Sequence, residues 1–123
     1  MDKSPSQYRE TVDRESMLNR LEGNSELLTE LVQLFLEEAP QLMEAMRKAL
    51  QQRDMHALGL SAHSMKGAAG NFFAHQTASA ASQLEDAAKR GDVEAAKAGL
   101  ATLQVVVDRL LTDLVNLCQG SPK

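Results

Sequence analysis

Aromatic residues are nearly missing from this chain: there is no tryptophan, and one tyrosine and three phenylalanines make up 3% of its 123 residues. Runs of β-branched residues are as scarce, Val105-Val106-Val107 being the exception. Both shortages count against strands, whose half-buried surfaces favour those side chains. A single cysteine, Cys118, excludes an internal disulfide and suits a reducing compartment. It sits on an apolar stripe near the chain end and reads as a small hydrophobe. No N-terminal segment has signal-peptide form and no apolar run is long enough to span a bilayer. The expectation is therefore a cytoplasmic protein with no membrane partner. Positive charge is not in surplus either. A net charge of −4 and a pI near 5.3 count against nucleic acid as a partner. What the chain does hold is Ala, Leu and Met within a hydrophobic fraction of 43%, all good helix formers. The fold class that follows is all-α, with length for one domain and a modest core.

Residues 1–10 read as a lead-in or linker, with Ser4, Pro5 and Ser6 in its disordered part and the domain itself spanning 11–119. A short helix is expected over about 11–21, capped by Asp13 and closed by Gly23. Asn24 or Ser25 then caps a run in which Leu28, Leu31, Phe35, Leu42, Met46 and Ala49 recur at helical spacing to about residue 53. Pro40 interrupts that run, either kinking one long helix or opening a second segment. Asp54 caps a helix to about Phe73, and Ala74, His75 and Gln76 make a short connection. Ala78, Ala81, Leu84 and Ala88 mark a smaller helix that stops at Lys89-Arg90-Gly91, where basic residues suit the dipole. Asp92 caps the last helix, whose stripe runs Ala96, Leu100, Leu103, Val107, Leu110, Leu114 and Leu117, before a tail over 120–123. Short connections between long amphipathic helices force antiparallel neighbours. The expected architecture is an up-down-up-down four-helix bundle with a short additional N-terminal helix, and a monomer.

The stretch with most chemistry surrounds His63. At about 100° per residue, Met55, Leu58, Ala62, Met65, Ala69 and Phe72 fall on one core stripe, with His63 roughly 130° from its middle. The imidazole should face water. Gly59, Gly67 and Gly70 lie one or two turns from it, although glycine costs a helix about 1 kcal/mol relative to alanine. A glycine-lined ridge gives a large partner or a tetrahedral anion close access to the ring. Lys66, at i+3, places an ammonium beside whatever the ring carries. Leu60 flanks the ring on the wheel, while His56, Gly70 and Ala74 lie near its meridian. An isolated exposed histidine usually has no role; the lysine and the three glycines reverse that reading.

Ala62-His63-Ser64-Met65-Lys66-Gly67, with Asn71 and Ala74 beyond it, closely resembles the signature of histidine-containing phosphotransfer (HPt) domains. These domains pass a phosphoryl group between receiver-domain aspartates in multistep phosphorelays. The likeness covers about residues 13–113, and the run from Leu84 to Asp92 looks like the family's later helix hairpin. One position departs: Phe73 stands where the family usually has glycine. The resemblance implies His63 as phosphoacceptor through Nε2, Lys66 as the phosphate-neutralising cation, and Gly59, Leu60, Ser64, Gly67, Gly70, Asn71 and Ala74 as clearance and docking surface. It also implies receiver domains as partners, with magnesium on the receiver and no cofactor on this chain.

The chemistry agrees with the resemblance. A neutral imidazole, with an unperturbed pKa near 6.5, attacks phosphorus through one ring nitrogen and makes a good leaving group afterwards. No Walker-type phosphate loop or kinase motif set is present, so an ATP-using enzyme is not expected, while a free-standing protein and a domain of a hybrid sensor kinase both stay open. His56 and His63 are two turns apart, too far for a helical zinc pair, and no metal is expected. Glu37-Glu38 and Glu85-Asp86 read as solvated faces. The competing reading is a non-catalytic HPt-like module that binds a receiver or other partner without phosphorylation.

Overall fold

The computed structural model describes residues 14–119. The lead-in over 1–10, the start of the first helix near residue 11, its Asp13 cap and the tail over 120–123 lie outside the described residues. Among those described are five helices and no strand: α1 (Arg14–Arg20), α2 (Ser25–Gln51), α3 (Met55–Gly70), α4 (His75–Arg90) and α5 (Val93–Gln119). None of these helices is long and apolar enough to cross a membrane. α3 packs on α2 and α4, and α5 packs on α4 and α2, so the contacts close a ring; α1 lies against α2.

The helix starts follow the sequence signals. Asn24 Oδ1 accepts from the amide of Leu27 at 2.9 Å, Asp54 Oδ1 from Ala57 at 3.0 Å, and Asp92 Oδ1 from Ala95 at 3.0 Å. Each carboxamide or carboxylate satisfies an amide that the first turn leaves without a helical partner. Asp54→Ala is expected to lower unfolding free energy by about 1 kcal/mol, with Asp54→Asn close to wild type. Urea denaturation checks this, and an unchanged midpoint for the alanine variant would remove the cap from the account.

Pro40 does not divide α2, which runs unbroken through 27 residues. The proline forfeits the helical bond its amide would make. It stands on the exposed side, while Val32, Phe35, Ala39, Met43 and Met46 are buried along the opposite stripe and tie both halves to the core. There Phe35 meets Phe72 edge-on with ring centroids 5.5 Å apart.

The end of α3 corrects the sequence reading. The helix stops at Gly70, not near Phe73, and the connection is 71–74, so that His75 and Gln76 already belong to α4. Phe73 adopts φ 56°, and the amide of Ala74 reaches back to the Ala69 carbonyl at 3.2 Å. This is a left-handed helix closure, the position where glycine is preferred. Phe73 accepts the strain with the Arg20 guanidinium lying 5.0 Å over its ring, which links α1 to the turn. The later closure is made in the ordinary way, by Gly91 at φ 69°.

Candidate functional site

Leu58, Ala62, Met65 and Ala69 are all fully buried, and their spacing fixes which side of α3 faces the core. His63 is thereby turned outward, its side chain 64% exposed. Ser64 and Leu60 are exposed beside it, and Lys66 sits one turn on at the margin of the core.

What holds the ring is Glu85, on α4. Its Oε2 lies 3.1 Å from His63 Nδ1, its Oε1 accepts from Lys66 Nζ at 3.1 Å, and Lys89 Nζ stands 3.5 Å from Oε2. The reading of Glu85-Asp86 as a solvated face therefore fails for Glu85, which is buried. It holds for Asp86, an exposed residue paired with Arg90 at 3.0 Å. A signal was available in the sequence. Glu85 follows Ala81 by four residues and precedes Ala88 by three, and both alanines belong to the buried stripe of α4. A carboxylate at the edge of an apolar stripe needs partners, and α3 supplies two of them.

The hydrogen bond from Lys66 holds the Glu85 carboxyl below its ordinary range. Burial pushes the other way, and the nearby charges of Lys66, Lys89 and His63 add to the lowering. Glu85 is thus a carboxylate at neutral pH and can only accept hydrogen bonds. The proton of the neutral imidazole must then sit on Nδ1, leaving the lone pair on Nε2 at the exposed edge. A carboxylate that fixes tautomer and ring orientation in this way is the same device that positions metal-bound and catalytic histidines elsewhere.

The remaining sequence-derived candidates divide. Gly67 and Gly70 face open space, and a methyl group at either would meet nothing within 4 Å. Gly59 is half-exposed and lines the groove beside His63, and a methyl there would meet Ala88 Cβ at 3.5 Å, an ordinary contact, so this glycine sits where that groove meets the α3–α4 contact. Asn71 is exposed as the residue that ends α3. Ala74 is fully buried and is no part of a docking surface. Helical-wheel extrapolation placed it near the meridian of His63, but the chain has reversed at Phe73 before reaching it. A groove of about 600 Å³ opens instead on the N-terminal side of His63, with Met55, His56, Leu60, Ala88 and Lys89 in its walls. Among the described residues, no group of three His, Cys, Asp or Glu is placed to hold a metal ion.

The family model of the Hpt domain matches residues 30–117, a span that contains His63, Lys66, Glu85 and Lys89. The chain belongs to the Hpt domain family. Hpt domains are phosphocarrier modules of phosphorelays rather than ATP-using enzymes, and their partners are receiver domains. No curated protein and no solved structure matched the chain.

Proposed function

We propose that this protein is a phosphorelay intermediate that takes a phosphoryl group from a receiver phospho-aspartate onto His63 and passes it to another receiver aspartate. The observation that carries this reading is the bond between His63 Nδ1 and Glu85, which directs the nucleophilic lone pair to the exposed Nε2. That lone pair attacks phosphorus in line. The N–P bond forms as the acyl P–O bond breaks, and the aspartate leaves as a carboxylate. Nδ1 keeps its proton against Glu85, so the phosphorylated ring stays cationic and departs readily in the next transfer. Lys66 neutralises the phosphoryl oxygens, and the magnesium ion belongs to the receiver. Four long helices joined by short turns, with their contacts closing a ring, support an up-down-up-down bundle, and the reading makes it a monomer that works in the cytoplasm.

The test is to mix the protein with phosphorylated receivers and follow intact mass. A single added phosphoryl group, acid-labile and alkali-stable, with phosphorus on Nε2 of His63 by NMR, is the expected result. No transfer from a broad receiver panel by a folded protein would leave the non-catalytic binding module as the better reading.

Leu60, Ser64, Gly67, Gly70 and Asn71 form the exposed surface the receiver would cover. Gly67→Ala separates clearance from folding. The variant is expected to raise unfolding free energy by roughly 0.5–1 kcal/mol, because alanine is the better helix former and the site is open. It should nevertheless slow transfer from the receiver. A stabilised protein that accepts phosphate at the wild-type rate would show that Gly67 provides no needed room.

A further inference from the structure

Lys89 has no part in the site as the sequence presents it, yet it shares Glu85 Oε2 with the imidazole. It is 72% exposed, and it lines the groove beside His63. Its long, flexible stem rises at i+4 from Glu85 on α4, beside the groove that also holds the ring. We propose that Lys89 is a second cation of the phosphoryl site, held on Glu85 in the resting protein and turned onto the phosphoryl oxygens once His63 carries the group. This rests on the phosphocarrier reading of His63.

The argument is one of charge. Before transfer, the lysines at 66 and 89 against the single carboxylate of Glu85 leave the cluster with one positive charge in surplus. Attack by Nε2 brings a dianionic phosphoryl group onto a ring that retains its Nδ1 proton, and the cluster then sums to zero. Without Lys89 the same step would take it from neutral to negative, with a phosphoryl dianion close to the Glu85 carboxylate and Lys66 shared between them. Like charges at that range repel, and the exposed phosphoryl side is where an extra cation acts most directly. Glu85 would act as a resting place for both lysines and surrender one or both when the phosphoryl arrives. The charged and titratable groups facing it are His63, Lys66 and Lys89, with His56 in the groove wall.

The experiment uses the full chain, with Lys89→Gln, Lys89→Arg and, as a charge-matched control away from the site, Lys97→Gln. Lys97 pairs with Glu94 on α5. His63 is loaded chemically with phosphoramidate, which needs no receiver, and the phosphoryl group is titrated by phosphorus NMR. A nearby cation favours the dianion, so Lys89→Gln should raise the phosphoryl titration midpoint by roughly half a pH unit. Lys89→Arg should restore it, and Lys97→Gln should leave it unchanged. Transfer from a phosphorylated receiver at low salt should be about fivefold slower in Lys89→Gln, a difference that high salt erases. An unchanged midpoint in Lys89→Gln, or an equal change in Lys97→Gln, overturns the assignment. Chemical loading with the expected midpoints but no receiver transfer overturns the relay and keeps Lys89; failure to load His63 by either donor overturns both.

Discussion

A His63→Gln protein is expected to take up no phosphoryl group from any receiver while remaining folded. The amide of glutamine has no nucleophilic lone pair comparable to that of an imidazole, so the loss should be complete rather than graded. Folding should be nearly untouched, since the side chain is 64% exposed and surface substitutions usually stay within about 0.5 kcal/mol. Glutamine can also donate an N–H toward Glu85, which keeps the carboxylate partnered. Intact-mass analysis after mixing with phosphorylated receivers, beside a circular dichroism melt, reads both halves of the result. Phosphate uptake that survives the change would place the acceptor elsewhere, with His56 the nearest alternative in the groove wall.

Glu85→Ala should be the most damaging change outside His63 itself. It removes the group that fixes the Nδ1 proton, and loss of such orienting partners typically costs about 10- to 100-fold. Glu85→Gln retains an oxygen that accepts from Nδ1–H, so its transfer rate should fall between wild type and the alanine variant. An alanine variant that transfers as fast as glutamine would show that tautomer control is not the function of this contact. The same residue carries a pH signature in stability. Its carboxyl is lowered chiefly by the Lys66 hydrogen bond, so the ionised form is favoured in the folded state. The resulting stabilisation is complete above the ordinary carboxylate pKa and is lost as pH falls through the lowered folded value. Wild type should therefore exceed Glu85→Gln in unfolding free energy at pH 7, with the gap closing in acid. Urea midpoints across that range measure it, and a gap that widened on acidification would reverse the sign of the argument.

Helix positions and the outward direction of His63 were legible because they depend on local rules. Asn24, Asp54, Asp92 and Gly91 act through neighbours a few residues away, and the stripe from Leu58 to Ala69 sets the ring's direction by period alone. Two features escaped for the opposite reason. Glu85 reads as surface until α3 lies against α4, when its partners across the helix contact become visible. Ala74 was misplaced because wheel geometry has no meaning beyond the left-handed residue that ends α3. Phe73 shows the converse: the position that departs from the family's glycine is the one whose backbone has the glycine-like angle, with Arg20 stacked over it.

His63, Lys66 and Lys89, the polar partners of Glu85 described above, come with it from two consecutive helices, with 22 residues separating it from His63 and 19 from Lys66. Closing loops of that size sacrifices little chain entropy compared with joining distant parts of a chain. In kinetic terms the polar cluster is a low-contact-order object, complete once a single helical hairpin has formed and independent of when α5 arrives. The chemistry is thus written into one contiguous segment, and the other helices serve it by keeping that hairpin's apolar side dry.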